Sequence, residues 1–325
     1  MPGVSPLATE LGVNRKTVEA ALRSLEEEGL LEGQGSGRKR RIVLPEDHAA
    51  PAVRVGILPF ETYDRDIDFM IELRHRLDEG GHVPFYPGPS LCDLGMDPAR
   101  VARAVKGLHA NAWIVCAASR EVLEWFAELE MPTFALAGRM EGVPMAGTKP
   151  DKAKAQGVAT RHLLGLGHRR ISFLCRHHIR HPEPGRSARV ILGEIEAAGI
   201  KVGPFNLPEW TETREGFERA LDALFRHTPP TALVLDESFL YYAAYHYLAG
   251  RGLRVPQDVS LLCTDGDPGF SWCWPSVAHI SWDSRPVVRR VVNWLNNVAS
   301  GKNDRRQTFT KAEFVEGGTV GPAPK

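Results

Sequence analysis

From Val53 to Thr264 the chain alternates short apolar, β-branched runs with amphipathic stretches of helical period, and it does so in two successive rounds. Strands are expected at 53–58, 82–86, 112–117 and 133–137, then at 171–175, 232–235 and 259–264. Helices are expected between them at 67–80, 98–108 and 121–129, then at 151–166, 187–198, 214–226 and 241–251. The run Ala112–Ala117 has no polar face, so it belongs in a sheet covered on both sides. Strand–helix repeats of this kind imply parallel sheets of an α/β fold. Two rounds of similar size predict two lobes with a cleft between them.

Composition narrows the classes open to such a fold. The 325 residues carry 40 Lys+Arg against 40 Asp+Glu, so the chain does not coat nucleic acid over its whole surface, though a local basic patch is allowed. No apolar run reaches the roughly 18 residues of a membrane span, and no charged-then-apolar leader opens the chain. Five cysteines, an odd number without a CxxC pair, argue against a disulfide framework or a structural zinc site and for a reducing cytoplasm. There is no GxSxG, Walker-type or HExxH motif, so neither an enzyme nor a cofactor is expected. His177-His178-x-x-His181 has metal-like spacing, but in a Pro-rich loop it is read as solvated, and His168 in its Gly-His-Arg-Arg turn as structural.

The local basic patch lies in the first 44 residues. Ser5-Pro6 suits the start of a short helix, with Leu7, Ala8 and Leu11 as its apolar face and Gly12 as a left-handed stop. Asn14 can cap a second helix reaching about Glu28, with Val18, Leu22 and Leu25 on one face. Leu30–Glu32 and Arg38–Val43 then read as two strands around a Gly-rich tip, a winged hairpin. The segment holds seven basic and six acidic side chains, but the cations gather at the second helix's start and on the wing. Arg15, Lys16 and the helix N-terminus would face phosphates together.

The stretch SPLATELGVNRKTVEAALRSLEEEGLLEGQGSG resembles the GntR-type winged helix-turn-helix. The resemblance implies that Asn14, Arg15, Lys16 and Thr17 begin a recognition helix, with Gln34 and Gly35 at the wing tip. It also implies DNA contacts at Ser5, Ser36, Arg38 and Lys39. The family's first helix is not found before Pro2, and the family often has Arg where Ser5 and Glu19 stand here. Loss of two cations is expected to weaken phosphate contact.

The remainder resembles the LacI-type, periplasmic-binding-protein-like (type I) effector domain. HLLGLGHRRISFL, SARVILGEIEAAGI, TALVLDES and GLRVPQDVSLLCTDGD carry the likeness through their order and spacing. It implies two lobes joined by three crossovers with a small ligand in the hinge cleft. The expected organisation is a DNA-binding domain at 1–44, a Pro-bounded linker at 45–52 and a two-lobed effector domain at 53–325. Its first lobe would take about 53–150 and 282–310, and its second about 151–281.

In open parallel sheets, ligands bind beyond the carboxyl ends of strands. That rule and the resemblance nominate Asp151, Arg189, Asp236 and Asp265, with Phe60, Tyr63 and Asp64 on the first lobe. Trp272, with Trp274 beside it, offers a flat ring for a sugar's C–H face. Each has a plainer reading: a structural ion pair for Arg189 and Asp265, a helix or loop cap for Asp151 and Asp236, and a crossover core or dimer surface for the tryptophans. The function expected is a cytoplasmic, ligand-responsive transcription regulator that binds operator DNA and a carbohydrate effector as a homodimer. The alternatives are a solute receptor for transport and a regulator whose head has degenerated.

Overall fold

The computed structural model describes residues 3–27, 31–32, 40–42 and 51–325. The head opens with α1 (Val4–Leu11), which starts from Gly3 without a side-chain cap, so Ser5 lies inside the helix rather than capping it. Its carbonyl instead accepts from Thr9 Oγ1 at 3.1 Å. Gly12 closes α1 at φ 63°, the left-handed stop its sequence suggests. Helix α2 (Arg15–Glu27) is capped by Asn14, whose Oδ1 accepts from the Lys16 N–H at 2.8 Å. Strands β1 (Leu31–Glu32) and β2 (Arg41–Ile42) pair antiparallel. Val18, Leu22 and Leu31 form a small core against Val4, Leu7, Ala8 and Leu25. The expected wing-tip contacts Gln34, Gly35, Ser36, Arg38 and Lys39, and most of the linker, lie outside the described residues.

The body starts with β3 (Arg54–Leu58), α3 (Asp68–Glu79), β4 (Val83–Phe85), α4 (Pro98–Val105), β5 (Ala112–Cys116), α5 (Arg120–Ala127) and β6 (Thr133–Leu136). Strand β7 (Ala146–Asp151) leads into α6 (Lys152–Gly165). A second round follows: β8 (Ile171–Leu174), α7 (His177–Arg180), α8 (Arg186–Ala197), α9 (Arg214–His227), β9 (Ala232–Leu235), α10 (Ser238–Gly250) and β10 (Ser260–Cys263). The chain returns through β11 (Ala278–Trp282), α11 (Ser284–Ala299) and β12 (Gln307–Val315). The strands of both rounds lie within a residue or two of their expected places, whereas β7, β11 and β12 have no counterpart in the sequence reading.

All ten body strands form one sheet in the order β4-β3-β5-β6-β7-β12-β11-β10-β9-β8. Every neighbouring pair is parallel except β11 with β12. Strand β12 changes partner midway: Gln307–Lys311 runs beside Gly147–Asp151, and Ala312–Val315 beside Trp282–His279. The cores separate at that point. On one side, Val55, Ile57, Ile114 and Phe134 pack with Val287, Val291 and Trp294 of α11. On the other, Phe173, Ile191, Val234, Leu262 and Ile280 form a distinct cluster. The last residues join this second side, since Ala323 donates to the Leu166 carbonyl and Thr319 Oγ1 donates to Leu261. Two lobes therefore meet along three passages, at β7–α6, β11–α11 and within β12.

One glycine is dictated by this packing. Trp113 on β5 lies so close over β3 that a Cβ on Gly56 would overlap its ring. Gly56 thus lets one of the first lobe's two fully buried tryptophans reach the interior.

Candidate functional site

The carboxyl ends of the parallel strands of both lobes converge on one arginine. Arg176 sits two residues past β8, and its side chain is 6% exposed. Its guanidinium pairs with Glu61 of the first lobe. Within its own lobe, Nε donates to Glu212 Oε2 at 3.0 Å, and Nη1 lies 3.5 Å from Glu237 Oε2. It also lies over the rings of Phe60 and Phe239, at 5.3 and 5.6 Å. Burial works against its charge, but the hydrogen bond to Glu61 and the charges of Glu237 and Glu212 outweigh that, and its pKa is raised.

Local geometry presents these partners. A 3-10 turn at Thr62–Asp66 follows β3, and Glu61 and Asp64 cap it reciprocally, with Glu61 N–H donating to Asp64 Oδ2 at 2.9 Å. That turn fixes the Glu61 carboxylate at the lobe boundary. Two further contacts cross the same seam. The Arg139 Nη2 reaches the carbonyls of His178, His181 and Glu183 at 3.1, 2.8 and 2.8 Å. The Phe60 ring meets His178 edge-on at 4.7 Å. His178 is therefore packed in the seam and not solvated as its loop suggested. Burial, followed by the nearby Arg176 charge, pushes its imidazole down to about 3, so the ring is neutral at pH 7.

A second, half-buried ion pair lies at the hinge. Lys152, the first residue of α6, pairs with Asp265 Oδ2 at 2.7 Å, and Asp265 Oδ1 accepts from Trp282 Nε1 at 2.9 Å. Burial opposes the Lys152 charge, but Asp265 outweighs it and its pKa is raised. Asp236 Oδ2 accepts from the Arg176 backbone N–H at 3.3 Å. Burial lifts Asp236 to about 6, and burial followed by the Asp236 charge lifts Glu237 to about 8.

The structure thus brings Phe60, Asp64, Asp236 and Asp265 into the seam, together with Tyr63, whose hydroxyl is raised by burial and by the charge of Glu237. Asp151 lies at the crossover, where its carboxylate faces Arg186 at 3.4 Å and makes no helix-capping bond. Arg189, one turn further along α8, is exposed and donates to the Pro184 carbonyl at 2.8 Å. Trp272 and Trp274 are 90% and 93% exposed. Sequence reasoning missed Arg176, Glu61, Glu212, Glu237, Lys152 and Arg139. The strand-end rule pointed at the right loops, since Arg176 and Glu61 each lie within three residues of a strand's end. Among the described residues, no group of three or more His, Cys, Asp and Glu side chains is placed to hold a metal ion.

In the head, Arg15, Lys16 and Thr17 are exposed along the first turn of α2. Arg15 Nε donates to Glu19 Oε1 at 3.1 Å, so the acid that stands where GntR-type heads often have arginine shares the nearest cation. Ser5 is exposed on α1. Among the described residues, no helix is long and apolar enough to cross a membrane.

Residues 160–320 match the periplasmic binding protein-like domain, and residues 1–38 match the gntR family of bacterial regulatory proteins. The HTH-type transcriptional repressor PurR of Haemophilus influenzae (strain PittEE) is 25% identical over 263 residues, covering 76% of this chain and 75% of that protein. A LacI family transcriptional regulator from Mycobacterium smegmatis shares the fold with a TM-score of 0.67 at 18% identity, over 83% of this chain and 100% of that one. A LacI family regulator from Enterococcus faecium, solved with bound ribose, does so at 0.65 and 16% identity, over 83% and 99%. The chain therefore joins a gntR-type head segment to a periplasmic-binding-protein-like body similar to that of LacI- and PurR-type transcriptional regulators.

Proposed function

We propose that this ligand-responsive, DNA-binding transcription regulator acts in the cytoplasm as a homodimer. Each head lays the N-terminal turn of α2 into the major groove of operator DNA, with Asn14, Arg15, Lys16 and Thr17 leading and the wing beside them. A small ligand, a sugar or sugar derivative, enters the interlobe seam. Phe60, Tyr63, Asp64, Asp236 and Asp265 line its place, and Asp151 sits at the crossover. Arg189 and Trp272 stand outside this grouping, because one is committed to the Pro184 carbonyl and the other faces solvent.

The observation that carries the reading is the partner switch in β12 beside a seam lined with polar groups from both lobes. A hinge of this kind lets a ligand prefer one lobe arrangement, and preference of that sort shifts a population. Coupling between such sites is typically worth roughly 1–3 kcal/mol. The ribose in the Enterococcus faecium relative supports a carbohydrate class.

The test is selection of genomic fragments on the purified full chain, followed by gel shifts with and without a panel of sugars. Retention of defined fragments, altered by at least one sugar, is expected. Failure to retain any fragment would remove the head's role, and retention that no sugar alters would remove the carbohydrate class.

A further inference from the structure

The seam holds more carboxylates than close cations. Glu61 and Glu212 are paired with Arg176, and Asp265 with Lys152. Glu237 shares Arg176 as a third and looser partner, at 3.5 Å. Two others have no ion pair: Asp64 is held by backbone N–H groups, and Asp236 by the Arg176 N–H and the Thr264 hydroxyl. Asp64 comes from the first lobe, and Asp236 and Glu237 from the second.

Two independent features share the seam with these acids. The rings of Phe60 and Phe239, one from each lobe, flank a cation here, with Arg176 as its present occupant. The Nδ1 of His178, whose ring packs on Phe60, is buried and has no hydrogen-bond partner. A neutral imidazole can present that nitrogen as an acceptor. Carboxylates, an open acceptor and aromatic faces together suit an N–H-bearing organic cation. An inorganic ion would have no use for the rings, and the acids of the described residues do not form a metal-binding cluster.

We propose that the ligand of this seam carries a positively charged nitrogen, an amine on a small polar molecule such as an amino sugar, seated between Asp64 and the Asp236–Glu237 pair. The proposal rests on the reading of the seam as the ligand site. Burial raises Glu237 further than Asp236, so at pH 7 it is the Glu237 proton that such an amine would displace. Arg176 marks the geometry: a cation touching acids of both lobes holds the lobes together, and a ligand amine would add a second bridge of the same kind.

Calorimetry on the full chain with matched pairs tests this: glucosamine against glucose and N-acetylglucosamine, galactosamine against galactose, and putrescine against 1,4-butanediol. An amine binding roughly ten- to hundredfold tighter than its neutral twin at pH 7 is expected, the range for a hydrogen bond to a charged group. Asp64→Asn and Glu237→Gln should each erase that ratio, while Glu196→Gln, an exposed acid on α8, should leave it unchanged. A neutral twin binding as tightly as its amine overturns the charged-ligand proposal and leaves the seam as a ligand site. A ratio that survives both variants overturns the placement at these acids. A flat response to every probe overturns the proposal and the carbohydrate reading together.

Discussion

Arg15 and Arg176 each sit next to glutamate carboxylates, and the difference between them separates the two working ends of the molecule. Arg15 is 69% exposed and shares its charge with one neighbour on the same helix, Glu19. Water screens that pair, and a pair of its class contributes about 0.3–0.5 kcal/mol. Its charge remains available to a partner outside the protein. Arg176 is buried among Glu61, Glu212 and Glu237, two lobes deep. Its charge is committed to the fold, and its removal would strand three acids in a poorly solvated seam. The same side chain is thus free for the proposed recognition role where it is wet and committed to holding the lobes together where it is dry.

The largest effect should follow from Arg176→Ala. Removing one partner of a buried ionic group typically costs about 3–5 kcal/mol. Thermal unfolding should show that loss, and small-angle scattering should show a larger radius of gyration as the lobes part. Glu61→Gln should open the lobes at a smaller cost, because Arg176 keeps Glu212 and Glu237. If Arg176→Ala changes neither melting nor radius, the two arginines are alike and the comparison fails.

A smaller effect concerns pH. Glu237 titrates near 8 in the folded protein, with Asp236, Arg176, Glu61 and Asp265 as its charged neighbours, against the usual 4.5 for a free glutamate. Between those values the folded state holds a proton that the unfolded chain releases. Stability should therefore fall as pH rises through that window, with Asp236 contributing the same sign up to about 6. Glu237→Gln should raise the melting temperature more at pH 8 than at pH 5. An equal shift at both would show that Glu237 is ionised throughout.

Much of this could be read from residues in order. Val18, Leu22 and the Asn14 cap follow from local periodicity and capping, and β5 follows from an unbroken apolar run. The strand-end rule reached Phe60, Asp64, Asp236 and Asp265. It passed over Arg176 because the glutamate that gives it meaning lies 115 residues away, and only folding brings them together. Arg189 was chosen by family likeness, yet along α8 it is Arg186, three residues earlier, that turns toward the crossover. Strand β7 hid behind Pro150 and Lys149. Strand β12 was hidden for another reason: its half-exposed alternation carries no sign that it serves two partners.

The head gives the gentlest test of the comparison. Arg15→Ala should weaken binding to mixed-sequence duplex DNA and lower the salt slope by about 1, the signature of one lost phosphate contact. Melting should be nearly unchanged, since the side chain is exposed. Glu19→Ala should do the reverse on a smaller scale. It removes a carboxylate that competes with phosphate for Arg15, so DNA affinity should rise, while α2 loses an i,i+4 pair worth about 0.3–0.5 kcal/mol. Stability and affinity would then move in opposite directions from one substitution. If Glu19→Ala weakens DNA binding instead, Glu19 is orienting Arg15 toward the groove, and the exposed ion pair belongs to the reading surface as a unit.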